Sequence, residues 1–206
     1  MRTRVKICGM TNLEDALAAC ELGADAIGFV FAESPRRISV ERAADIADQL
    51  PPFVKTIGVF TDENPRVASV RDWVPLDMVQ LHGDQTEPFA EWLGITPLIR
   101  VVRIRDEDSL QLLQTWELGA AYLLDTWTPD QKGGTGGTFN WDLAVRAKEF
   151  GKPIILAGGL TPENVADAIR TVRPYAVDVA SGVESSPGKK DYKLMKEFIQ
   201  NARALD

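Results

Sequence analysis

The chain has 206 residues, 23 basic and 30 acidic, for a formal net charge of -7, with two cysteines and one histidine. At about 150 residues per domain, residues 1–206 form one domain, able to bury about 70% of its unfolded surface without staples. Cys8 and Cys20 are too few for a disulfide framework, His82 alone makes no zinc cluster, the acidic balance disfavours nucleic acid, and no run approaches a membrane span, so a reduced cytoplasmic setting is expected.

In chain order, Val/Ile/Leu/Phe-rich runs at Arg4–Cys8, Ala26–Phe31, Val54–Phe60, Asp77–Leu81, Leu98–Ile104, Ala121–Asp125, Pro153–Ala157 and Tyr175–Ala180 read as eight strands. Helix-start residues stand between them: Asn12, Ser39, Asn64-Pro65, Thr86, Asp106, Asn140 and Thr161-Pro162. An eighth helix is expected over Tyr192–Ala204, with Leu194, Phe198 and Ile199 on one face. Strict alternation of buried strands and helices argues for parallel βα units, and eight of them for a closed (β/α)8 TIM barrel. An open doubly wound sheet is the rival, but it usually carries fewer strands at this length. Strands six and seven start at 121 and 153, the widest interval, and the QKGGTGG stretch inside it reads as a mobile loop.

Such barrels place their chemistry at the carboxyl ends of the strands, with phosphate commonly held after strands seven and eight. Gly158-Gly159 and Ser181-Gly182 fall on those two loops, where bare backbone N–H groups can meet an anion. A sugar phosphate fits better than a dinucleotide, because no G-x-G-x-x-G fingerprint occurs. The two-residue period of strand one turns Val5 and Ile7 outward and Lys6 and Cys8 into the barrel. A free cysteine is by default a small buried hydrophobe, and Cys20 keeps that reading. Cys8 differs, because Lys6 sits one pleat below and a cation favours the thiolate that would act as a base. Lys6 cannot stay buried alone, so an ion pair with Asp178 on the neighbouring strand eight is expected.

Asp125 ends strand six on the pore side, nearly across the barrel from Cys8. It is either a loop-anchoring aspartate or the proton donor opposite a cysteine base. To donate, it must hold its proton near neutral pH, which burial promotes. Arg36 and Arg37 follow strand two, and one of them over the mouth would offer a planar fork to a carboxylate. His82 reads as a hydrogen-bonded structural histidine, with no serine partner for a hydrolase triad. Trp127, Phe139 and Trp141 flank the glycine-rich loop as packing groups or an aromatic lid.

The stretches KICGMTN, GADAIGFVFAESPRRIS, IGVF, VQLHGDQ, LLDT, GGTGGTFNW, LAGGLTPENV, VDVASGVE and PGKKD, in this order and over essentially the full length, resemble the phosphoribosylanthranilate isomerases of tryptophan biosynthesis. Two positions depart from the family pattern. Ala180 stands where serine is common, which touches a peripheral phosphate contact, and Asn140 stands where aspartate is usual at a helix cap. The resemblance implies an Amadori rearrangement of N-(5'-phosphoribosyl)anthranilate, with Cys8 as general base, Asp125 as general acid and Arg36 on the anthranilate carboxylate. Gly158, Gly159, Ser181 and Gly182 would hold the phosphate, and Asp178, Gln80 and Gly134 join the expected substrate-binding set. The substrate's own nitrogen is the electron sink, so no metal, nicotinamide or pyridoxal is expected. The family implies a small anionic substrate as partner and either a monomer or a homodimer. The rivals are a histidine-pathway isomerase, which relies on two aspartates where strand one here ends in Cys8, and a silent phosphosugar-binding barrel, which has no use for an opposed acid and base.

Overall fold

The computed structural model describes residues 2–94, 97–126 and 140–204. Strands β1 (Arg4–Cys8), β2 (Ala26–Val30), β3 (Lys55–Phe60), β4 (Met78–Leu81), β5 (Leu98–Ile104), β6 (Ala121–Thr126), β7 (Ile154–Leu156) and β8 (Ala176–Val179) pair in sequence order, and β8 closes on β1. Every pairing is parallel, so the expected (β/α)8 barrel is the fold. Side chains that alternate along each strand divide between two cores. Ala26, Ile57, Ile99, Val101, Ala121, Leu123, Ile155 and Ala176 fill the pore. Val5, Ile7, Ile27, Phe29, Leu124 and Val177 face outward into the layer shared with the helices.

The helices are α1 (Leu13–Leu22), α2 (Val40–Ala47), α3 (Arg66–Trp73), α4 (Glu87–Leu93), α5 (Trp141–Ala147), α6 (Val165–Val172) and α7 (Tyr192–Arg203). Asn12, Ser39, Thr86, Asn140 and Asp191 each accept a backbone N–H at a helix start, which satisfies a donor the helix itself leaves free. Asn140 caps as an aspartate would, so that departure from the family pattern leaves the cap intact. Among the described residues no helix is long and apolar enough to cross a membrane.

Three local features differ from the sequence reading. The helix after β5 is a 3-10 helix over Glu107–Gln114, opened by a capping box between Asp106 and Ser109. Its buried Leu110 and Leu113 are three residues apart, which suits three residues per turn. After β7 the helix begins at Val165 and not at Pro162, because the Asn164 side chain accepts from Thr161 N–H at 2.8 Å and donates to the Gly159 carbonyl at 2.9 Å. Those bonds fold Gly159–Asn164 into a separate turn. After β8 a hairpin forms between β9 (Glu184–Ser186) and β10 (Lys189–Lys190), turning at Gly188 with φ of 82°. Gly134, the rest of the QKGGTGG stretch, Trp127 and Phe139 lie outside the described residues, while Trp141 packs against the outer core.

Candidate active site

The carboxyl end of the barrel is assembled from single side chains on different strands. On β1, Lys6 is 2% exposed and its Nζ donates to Asp178 Oδ1 at 2.9 Å, which is the expected pair across the β1–β8 seam. Burial works against the Lys6 charge, but Asp178 and Cys8 outweigh it and hold Lys6 above the ordinary lysine range. Cys8 lies one pleat higher and is 7% exposed. Its neighbour in register is Gly28 of β2, and a Cβ there would come within 2.7 Å of Cys8 Sγ and 3.1 Å of Lys6 Nζ. A glycine inside a strand thus makes the room that the thiol and the ammonium occupy. The effect on the thiol differs from the sequence expectation. Lys6 does draw Cys8 toward the thiolate, but burial is the larger influence, Asp178 adds to it, and the thiol is pushed up overall.

Asp125, on β6, is 6% exposed and pore-facing. Its Oδ1 accepts the Thr126 N–H at 2.8 Å, and its Oδ2 lies 3.1 Å from His82 Nε2. His82 Nδ1 in turn lies 3.3 Å from Gln80 Nε2, and Gln80 is 1% exposed. Gly158, with φ of 80°, approaches this corner so closely that a Cβ would fall 2.9 Å from Asp125 Oδ1 and 2.3 Å from Thr126 Oγ1. The two glycine-bearing loops also abut, because a Cβ on Gly182 would fall 2.0 Å from the Leu160 carbonyl oxygen. Ser181–Val183 forms a single 3-10 turn there.

Arg36 comes from the loop after β2. Its Nε and Nη2 donate to Glu184 at 2.8 and 2.7 Å, a two-point clasp over the end of β1 to the segment after β8. Lys190 Nζ donates to the same carboxylate at 2.8 Å and to the Ala180 carbonyl at 3.1 Å. Burial opposes the Glu184 charge, but Arg36 and Lys190 outweigh it and hold its carboxyl below the usual range. Lys190 itself is pushed down by burial, with Glu184 and Cys8 pulling the other way. Arg37 instead pairs with Glu33 on the surface. Chemically, the mouth offers a thiol, a carboxyl group opposite it, an oriented guanidinium and a glycine-lined rim.

A family model described as N-(5'phosphoribosyl)anthranilate (PRA) isomerase matches residues 5–201. The chain belongs to that family. It is 52% identical to the N-(5'-phosphoribosyl)anthranilate isomerase of Geobacter sulfurreducens, covering 97% of this chain and 98% of the relative. Its backbone matches the crystal structure of phosphoribosyl anthranilate isomerase from Thermotoga maritima with a TM-score of 0.90 at 46% identity, over 97% of this chain and 98% of that one. A further isomerase structure, in complex with reduced 1-(o-carboxyphenylamino)-1-deoxyribulose 5-phosphate, matches at 0.86 and 44% identity over 97% and 98% of the two chains.

Of the residues singled out from sequence, Cys8, Asp178, Gln80 and Asp125 all reach the pore side, and Arg36 reaches the mouth. Gly158, Gly159, Ser181 and Gly182 form the rim, whereas Gly134 lies outside the described residues. Sequence reasoning missed Glu184 and Lys190. The clasp depends on the β9–β10 hairpin, whose strands of three and two residues are too short to show a period. The contact of His82 with Asp125 was also missed, although its place at the end of strand four was the available signal.

Proposed function

We propose that Cys8 and Asp125 divide the acid and base work of isomerising N-(5'-phosphoribosyl)anthranilate to 1-(2-carboxyphenylamino)-1-deoxyribulose 5-phosphate. Asp125 donates its proton to the furanose ring oxygen. The C1'–O bond breaks with its electrons going to that oxygen, and the anilino nitrogen lone pair forms an iminium ion. The iminium acidifies the C2' hydrogen, which the Cys8 thiolate removes, leaving an enolamine that tautomerises to the ketose. A nitrogen in the substrate supplies the electron sink, so the chain's own groups need only move protons and hold charges.

The remaining residues position the two ends of the substrate. Arg36 meets the anthranilate carboxylate with the part of its guanidinium not taken by Glu184, which keeps the fork in one orientation. The Gly158-Gly159 and Ser181-Gly182 turns receive the phosphate, whose three oxygens suit backbone N–H donors at a bare rim. Ala180 removes one hydroxyl from that rim and leaves the backbone donors in place. Asp178 acts through Lys6, holding a cation beneath the base.

The observation that carries this reading is the pairing of a buried thiol on β1 with a buried carboxyl on β6, both on the pore side and above a filled core. An anthranilate-fluorescence assay tests it on the wild type, Cys8→Ser and Asp125→Asn. Losses of at least about 100-fold are expected in each variant. Full activity in either one would remove that residue from the chemistry.

A further inference from the structure

The acid must recover a proton before each turnover, and Asp125 does not sit alone. Gln80 and His82 at the end of β4, and Asp125 two strands away on β6, form a line from a buried amide through an imidazole to the acid. The His82 backbone is fixed by its N–H bond to the Phe60 carbonyl at 2.8 Å. The ring is therefore held with one nitrogen on each neighbour. At the far end, Gln80 Oε1 is buried with no hydrogen-bond partner. An orphan acceptor is unfavourable, and no hydrogen bond at that end holds the amide in its present orientation. Turning an amide by half a turn exchanges its oxygen and nitrogen with almost no change of shape.

The two orientations impose different protons on the line. With the amide NH2 toward His82, Nδ1 must be the bare nitrogen. Nε2 then carries the hydrogen and donates to Asp125, an arrangement that favours the carboxylate. With Oε1 toward His82, Nδ1 carries the hydrogen, and one further proton lies between Nε2 and Asp125, either on the carboxyl group and donated to a bare Nε2 or on Nε2 and donated to the carboxylate. The second arrangement holds one proton more than the first, and it is the one competent to open the sugar ring. It also gives the orphan oxygen a donor, with the amide NH2 taking its place at the far end.

From this geometry we infer that Gln80 and His82 are positioning residues for the acid: the Gln80 amide oxygen, by accepting from His82 Nδ1–H, keeps the proton that Asp125 delivers between His82 Nε2 and the Asp125 carboxyl group. The inference rests on the reading of Asp125 as the acid. In the loaded state Gln80 accepts from Nδ1–H and the further proton lies between Asp125 and Nε2. When Asp125 gives that proton to the ring oxygen, Nδ1 keeps its hydrogen and the carboxylate is left facing a bare Nε2. C1' of the enolamine then takes its hydrogen from the Cys8 thiol, and the proton released as the enolamine hydroxyl becomes a ketone returns to Asp125 and restores the loaded state. Other charged groups at this corner are Arg103 on β5, whose Nη2 lies 3.4 Å from the His82 carbonyl oxygen, and Asp84 and Arg105, which share a cavity of about 430 Å³ with His82 and Arg103.

The single histidine makes a direct test available, because 15N-histidine labelling of the whole protein gives signals from His82 alone. At neutral pH without ligand, the wild type is expected to carry hydrogen on Nδ1. A neutral ring that carries it only on Nε2 overturns the inference, and no variant is needed to see this. Gln80→Met, close to isosteric but unable to accept, is expected to return the ring to the Nε2–H tautomer. In that variant kcat at neutral pH should fall at least about 10-fold with KM within about 3-fold. Gln80→Glu, which only accepts when ionised, should recover most of kcat. A Gln80→Met enzyme whose pH profile superimposes on the wild type would also overturn the inference. Full activity in Asp125→Asn would instead sink the acid reading, leaving the tautomer measurement unaffected.

Discussion

Lys6 Nζ and Asp178 Oδ1, 2.9 Å apart, join the first and last strands of the barrel through two buried charges in the same register row. The pair lies below the chemistry, at the seam where the sheet closes. Removing one partner strands a charge in a medium that solvates it poorly, at a cost of about 3–5 kcal/mol. Urea unfolding of Asp178→Asn is expected to show a loss in that range. Lys6→Met combined with Asp178→Val should recover most of it, since neither charge is then left unpaired. A double variant as unstable as the single would show that the pair contributes through shape and not through charge. The sign with pH follows from Lys6 lying above its ordinary range in the fold. The pair's stabilisation is complete below the unfolded lysine value and is lost as alkaline pH passes the raised one.

Gly28→Ala tests the space beside the base. The added methyl would stand 2.7 Å from Cys8 Sγ, while the alanine backbone itself is compatible with a strand. Overpacking of this kind costs about 1–3 kcal/mol of stability. The thiol must also shift, so kcat should fall at least about 10-fold while KM stays within a few-fold. Steady-state kinetics with a thermal melt would separate the two effects, and unchanged kcat would show that Cys8 has room to spare.

The contrast between what could and could not be read from the sequence follows from distance along the chain. Lys6, Cys8 and Asp178 were legible because the period of two assigns a face to every residue of a strand, and closure makes strands one and eight neighbours. The Lys6–Asp178 pair needed no other information. Helix starts at Asn12, Ser39, Thr86 and Asn140 were legible because capping is a local exchange of hydrogen bonds. Arg36 was legible only as a candidate, since its orientation depends on Glu184, a carboxylate 148 positions later. The start of α6 was misread because Asn164, competing for the Thr161 N–H, turns the chain before the helix can begin.

Glu184→Gln tests the clasp on Arg36. The carboxylate accepts from Arg36 with both oxygens and from Lys190 with one, whereas an amide turns an NH2 toward one of those cations. The guanidinium should lose its fixed orientation, and KM is expected to rise about 10-fold or more with kcat changed by less than about 3-fold. Arg36→Lys should raise KM similarly, because an ammonium offers no planar fork. If Glu184→Gln lowers kcat and leaves KM alone, the clasp serves the chemistry through Lys190 and Cys8 and not through substrate binding.

The buried base sets the pH dependence. Burial outweighs Lys6 and pushes the Cys8 thiol up, so at neutral pH the thiolate is the minor form in the free protein. A group that must be ionised to work, and whose ionisation is displaced upward, gives a rate that rises with pH through and beyond the usual thiol range, about 8.5. kcat/KM should therefore climb on the alkaline side of neutrality, and Cys8→Ser should lose that rise along with its rate. Iodoacetamide reads the same property chemically, since only the thiolate reacts. Cys20 is a useful internal reference, because burial raises it to about 11. Alkylation at pH 7 should be slow at both cysteines and should accelerate as pH rises. Loss of activity should track modification of Cys8 by mass spectrometry and not modification of Cys20. Rapid labelling of Cys8 at pH 7, with a flat kcat/KM profile above it, would mean that Lys6 and Lys190 prevail over burial and that the thiolate is already the resting state.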